Sequence, residues 1–116
     1  MNTKEAVGAL AALAQETRLA IYRLLVEAGP NGLAAGMIAE RLAVAPSSLS
    51  FHLAQLTHAA LIHQRRMSRR LIYAADFSAM NGLVAYLTEN CCGGESFAPA
   101  CQPGKTLANR SRKQPA

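Results

Sequence analysis

The apolar pattern of this chain changes period once, directly after a tight connection between two short amphipathic segments. Residues 35–42 (AGMIAERL) place Met37, Ile38 and Leu42 at helical spacing. The segment from Pro46 to about Ala59 does the same with Leu49, Leu53 and Leu56. Apolar positions three and four apart make one buried stripe on a helix. Only Ala43-Val44-Ala45 separates the two, and Pro46 and Ser47 are residue types favoured at a helix start. From Leu61 the helical spacing stops. Residues 61–66 and 70–74 read as two short strands around Met67-Ser68-Arg69. A short helix, a tight connection, a longer helix and a basic hairpin make a winged helix-turn-helix, in which the second helix enters the major groove while the first braces it. The expected fold class is mainly α with a two-stranded β-hairpin wing.

The flanks supply the remaining helices. The spacing predicts a helix over 4–14 with Val7, Leu10, Ala11 and Leu13 as its apolar positions. A second starts near Glu16, with Leu19, Ile21, Leu24, Leu25 and Ala28 on its stripe, and stops at Gly29-Pro30-Asn31-Gly32. A last helix over 76–90 carries Phe77, Met80, Leu83, Val84 and Leu87 and ends before Gly93-Gly94. With 116 residues the chain holds one domain, here 1–92, followed by a flexible tail over 93–116. Apolar residues are 51% of the whole, but three Tyr, three Phe and no Trp make the core aliphatic. No apolar run approaches the eighteen or so residues of a membrane span. Glu5 and Glu16 interrupt the N-terminal apolar stretch, which lacks a signal-peptide cleavage pattern. The expectation is a soluble, cytoplasmic chain with no membrane partner.

Charge is distributed unevenly. Residues 1–62 hold four basic and four acidic side chains, whereas Arg65, Arg66, Arg69 and Arg70 fall within 63–72 without an acid. Lys105, Arg110, Arg112 and Lys113 crowd the C-terminus, and the whole chain carries +5. A run of this kind is either a solvated face or the footprint of polyanion contact. Beside a helix-turn-helix the second reading gains, because Arg pairs bidentately with phosphate and reaches into narrow minor grooves. Ser47, Ser48 and Ser50 populate the opening turns of the groove-facing helix, where small hydroxyls reach phosphates or base edges. The alternative for Ser47 is an N-cap. His52 reads as a packed or capping side chain rather than a metal ligand, and His58 and His63 stand at no ligand spacing. Nothing pairs a nucleophile with a catalytic base, so no enzyme is expected.

The runs LAQETRLAIYRLL, VAPSSLSFHLAQLTHAALI and RRMSRRLIYAADFSAMNGLVAYLTENCCGG resemble the ArsR/SmtB family of metalloregulatory repressors over residues 5 to about 94. That resemblance implies a homodimer paired through its first and last helices, bound to double-stranded operator DNA when ligand-free and released by a metal or metalloid. It places Ser47, Ser48, Ser50, Phe51 and His52 in the DNA-facing helix and Arg65 to Arg70 in the wing. Two ligand sites of the family are missing here. The helix GLAAGMIAERL has no thiol, and no His follows Asp76 to build a zinc site on the last helix. What remains, NCCGGESFAPAC, is similar to the C-terminal thiol site of arsenite-responsive members, with Cys91, Cys92 and Cys101 in those roles.

Thiol chemistry agrees with that choice. Three clustered cysteines cannot close a disulfide framework in a reducing compartment, and they point to ligand binding or redox chemistry. Soft thiolates select soft centres, and trivalent arsenic or antimony favours three sulfurs in a pyramid. Neighbouring cysteines point about 100° apart within a regular helix, so the last turn must open for both sulfurs to face one point. The expected function is an arsenic-responsive repressor without a permanent cofactor, its inducer arsenite or antimonite, with the tail contributing Cys101. The rival readings on the same fold are a thiol redox switch and a sensor of cadmium, lead or zinc.

Overall fold

The computed structural model describes residues 1–94. Five helices and three strands follow in the order α1 (Thr3–Leu13), α2 (Glu16–Ala28), β1 (Leu33–Ala34), α3 (Ala35–Leu42), α4 (Pro46–His58), β2 (Ile62–Met67), β3 (Arg70–Ala75) and α5 (Phe77–Leu87). Each long helix outside the helix-turn-helix pair starts on a side-chain cap that satisfies an otherwise orphaned N–H. Asn2 and Glu5 form a reciprocal capping box on α1, at 2.8 and 3.0 Å. Gln15 accepts from the Arg18 amide at 2.8 Å on α2, and Asp76 from the Ala79 amide at 3.0 Å on α5.

The core is aliphatic, as composition requires. Ile21, Leu25, Ile38, Leu56 and Leu61 are its largest fully buried side chains. They come from α2, α3, α4 and the start of the hairpin, so one core holds the helix pair against the wing. The α3–α4 connection turns on Ala43, a non-glycine residue in the left-handed region (φ 54°, ψ 47°), and the Val44 amide closes onto the Ala39 carbonyl at 3.0 Å.

The sheet is antiparallel with order β1-β3-β2. The hairpin register runs from Ile62 opposite Ala75 to Met67 opposite Arg70, leaving Ser68 and Arg69 as a two-residue turn in which Ser68 takes φ 58°. Burial fades along the hairpin: Leu61, Ile62, Ala74 and Ala75 are buried, and residues 66–71 are exposed. The wing therefore projects from the body. Gly32 has φ +68°, and a Cβ there would lie 2.3 Å from the Tyr73 carbonyl oxygen, so only glycine lets the chain enter β1 this close to β3.

Three sequence readings need correction, and the sheet gains one element. The wing is a two-stranded hairpin, but Leu33 and Ala34 add a third strand at its base, opposite Tyr73 and Ile72. The helix read as 4–14 turns its alanines inward: Ala6, Ala9 and Ala12 are buried, while Val7 and Leu10 are 59% and 42% exposed. Small side chains let α1 pack closely on its neighbours, and that leaves the larger ones outside. Leu19, read as part of the α2 stripe, is exposed, and Tyr22 is buried beside Ile21 and Leu25. The last helix ends at Leu87 rather than Asn90, where Thr88 returns its amide and hydroxyl to the Val84 carbonyl at 3.1 and 2.8 Å. No helix among the described residues is long and apolar enough to cross a membrane.

Candidate nucleic-acid interface and thiol site

On α4, Leu49, Leu53 and Leu56 face the core, so the positions between them face out. Ser47, Ser48 and Ser50 are all exposed. The N-cap is Ala45 with Pro46 at the first helical position, and no side chain caps the helix. Ser47 is therefore not the cap, and its hydroxyl is not committed to the helix start. Phe51 is 58% exposed on the same outward surface.

His52 is half-buried and held from α2. Nη1 of Arg18 lies 3.3 Å from its Nδ1, and Nε of Arg18 donates to the Ala12 carbonyl at 2.7 Å. A guanidinium can only donate, so Nδ1 accepts and the ring proton sits on Nε2. Arg18 thus ties the C-terminal end of α1 to the outward helix and fixes the His52 tautomer. This tie was not legible in the sequence, because its partners stand six and thirty-four residues apart from Arg18.

The wing arginines divide into two kinds. Arg65 is half-buried and reaches back to the α2–β1 turn, donating to the Asn31 carbonyl at 3.1 Å and to that of Pro30 at 3.4 Å. Arg66, Arg69 and Arg70 are exposed. A groove of about 550 Å³ separates the start of α3 from the wing, with Ser50, Arg69 and Arg70 on its walls. It brings the serine face of α4 and the tip of the wing to one side of the molecule.

The cysteine segment leaves helical geometry. After Thr88 the chain makes successive tight turns, with the Cys91 amide on the Thr88 carbonyl and the Gly93 amide on that of Asn90, both at 3.0 Å. Asn90, Cys92 and Gly93 take left-handed φ of 59°, 57° and 69°. The Sγ atoms of Cys91 and Cys92 consequently lie 3.6 Å apart. Cys101 and the basic tail lie outside the described residues, as does most of the tail segment read from 93 onward.

A paired α3–α4 unit with a projecting basic wing defines a winged helix-turn-helix protein. Comparison with known proteins agrees. A helix-turn-helix domain model matches residues 13–65. The transcriptional activator HlyU of Vibrio cholerae is 31% identical over 91 residues, 78% of this chain and 82% of that protein. Its reduced form superposes with a TM-score of 0.60 at 32% identity, over 74% of this chain and 90% of that one. An ArsR-like transcriptional regulator from Rhodococcus sp. RHA1 gives 0.65 at 28% identity, over 72% and 76% of the two chains. A possible transcriptional regulator for arsenical resistance gives 0.60 at 26% identity, over 68% and 79%. The chain belongs to the ArsR/SmtB family of winged helix-turn-helix transcriptional regulators.

Proposed function

We propose that this regulator is a homodimeric repressor that holds operator DNA when ligand-free and releases it when trivalent arsenic binds Cys91, Cys92 and Cys101. The clustering of the three cysteines in NCCGGESFAPAC, directly after the last helix, carries the inducer half of this reading. In the fully reduced protein, three thiols displace the three hydroxyls of arsenous acid as three waters, leaving arsenic bonded to three sulfurs, which soft-donor preference favours over oxygen. Antimonite reacts in the same way. The DNA half rests on exposed Ser47, Ser48 and Ser50 on α4 beside exposed Arg66, Arg69 and Arg70 on the wing, with Arg65 supporting the wing base. Hydroxyls and arginines of this kind contact phosphates and base edges. His52 lies on the same helix, half-buried and held by Arg18.

The dimer half rests on α1 and α5, which pack together through a hydrogen bond between the Thr3 and Tyr86 hydroxyls. Both carry large exposed apolar residues, Val7 and Leu10 on one, Val84 and Leu87 on the other. The thiol site begins four residues after α5 ends. Ligand closure there reshapes the end of a pairing helix and so the spacing of the two DNA-facing helices. Moving an operator from 99:1 occupied to 1:99 takes about 5.5 kcal/mol of differential binding.

A second reading, a thiol redox switch, is favoured by the likeness to HlyU, a protein whose reduced form was solved as such. One experiment separates these. A duplex carrying the operator is titrated in the presence of reductant with arsenite, antimonite, zinc and cadmium, and separately with peroxide without reductant. Release by the trivalent metalloids alone supports arsenic sensing. Release by peroxide alone moves the function to redox control, and release by zinc or cadmium alone to a soft-metal sensor.

A further inference from the structure

We propose that Phe51 reads the 5-methyl group of a thymine in the major groove of the operator; this deepens the DNA-binding reading above and rests on it. The α-helix advances about 100° per residue, so Phe51 stands about 200° around α4 from Leu49 and faces directly away from the buried stripe. Its neighbours along that outward row, Ser47 four residues before and Ala54 three after, are small and exposed. Among the described residues the ring has one aromatic contact, a T-shaped approach to His52 at a centroid distance of 5.7 Å and an interplanar angle of 65°. His52 is itself held by Arg18. The phenyl ring is thus steered by a fixed neighbour yet left 58% exposed.

A single exposed apolar side chain is ordinary on a protein surface. The position is what makes this one informative. It occupies the centre of the outward face of α4, whose Ser50 lines a groove with Arg69 and Arg70, the two arginines outnumbering the one acid there, Glu40. The charge of those arginines selects a polyanion as the partner of this surface, and duplex DNA displays one apolar group on its base edges in the major groove, the thymine methyl. The serines around Phe51 have no apolar surface of comparable size, so the ring is the element of α4 suited to that methyl.

The test uses the full chain and a duplex selected by it from a random library. Each thymine of the selected site is replaced in turn by deoxyuridine, which pairs identically and lacks only the methyl. One thymine per half-site is expected to matter, with about a fourfold loss of affinity for each methyl removed. Phe51→Ala should bind thymine and uracil duplexes equally, at the affinity of the wild type for uracil. Phe51→Leu should retain part of the discrimination. Equal binding of both duplexes by the wild type, or undiminished discrimination by Phe51→Ala, overturns the proposal. So does a change in the sedimentation of free Phe51→Ala, which would assign the ring to a second copy of the chain. Selection of no duplex at all fails differently: it removes the operator reading itself.

Discussion

Leu87→Ala addresses the pairing of two chains. Leu87 is 58% exposed on the last turn of α5, so little of its side chain contributes to the protomer's own core. Burying a whole Leu side chain is worth about 1.5–3 kcal/mol, so covering the exposed part stabilises the dimer by about 1 kcal/mol per copy once the methyl kept by Ala is subtracted. A twofold interface contains each side chain twice, so the substitution costs about 2 kcal/mol. At a factor of ten per 1.4 kcal/mol, the dimer dissociation constant rises roughly thirtyfold. Sedimentation equilibrium at micromolar concentrations measures it directly. Leu87→Asp, which adds the desolvation of a charge, should leave a monomer over the same range. Far-UV circular dichroism should be unchanged for both, because the residue faces outward. An unchanged dissociation constant in Leu87→Ala, or a wild type that is monomeric, refutes the assignment of this face.

Other substitutions probe the interface and the core. Arg69→Ala with Arg70→Ala should weaken DNA binding and flatten its salt dependence by about one unit per lost phosphate contact, read from affinities across a salt series. Arg65→Ala should leave that slope largely intact and lower stability by about 1 kcal/mol in urea unfolding, because its hydrogen bonds go to Asn31 and Pro30. Arg18→Ala should lower DNA affinity about tenfold without changing the salt slope, since it frees His52 rather than removing a phosphate contact, with ~1.4 kcal/mol as the corresponding energy. Among the described residues nothing hydrogen-bonds the buried Tyr22 hydroxyl, and burial, then the charge of Asp76, raises its pKa above the ordinary tyrosine value. In alkali the unfolded chain loses this proton before the folded one, so stability falls as pH rises past about 10. Tyr22→Phe should match or exceed the wild type at neutral pH and lose less stability between pH 10 and 11, as followed by chemical denaturation.

The helix-turn-helix was legible because its signals are local. Leu49, Leu53 and Leu56 mark a buried stripe that only α4 can satisfy, and Pro46 fixes where it starts. The hairpin was legible from its change of period. The third strand was not, since two residues cannot show alternation, and Leu33 and Ala34 pair only because Gly32 lets the backbone approach β3. The facing of α1 was misread for a different reason. TKEAVGALAAL is apolar on more than one side, and size suggested Val7 and Leu10 for the core. Close packing chose the alanines instead. Among the arginines, sequence could not tell Arg65 from Arg66: adjacent strand residues point to opposite faces, and only the fold shows which face meets the α2–β1 turn. The clustering of the cysteines was visible in the chain, but the left-handed backbone at Asn90 and Cys92 that turns this segment was not, since neither residue type dictates it.

The central claim is that thiolate capture of trivalent arsenic at the end of α5 releases DNA. Fluorescence anisotropy of a labelled operator duplex, titrated with arsenite in the presence of reductant, tests it for the wild type and for Cys91→Ser. Cys91 lies outside α4 and the wing, so the variant should bind the ligand-free duplex within about twofold of the wild type. The wild type should release the duplex as arsenite is added. Cys91→Ser should remain bound at concentrations that empty the wild type, because a serine oxygen is a hard, poor donor to a soft centre. Equal release from both proteins, or no release from the wild type, contradicts the claim.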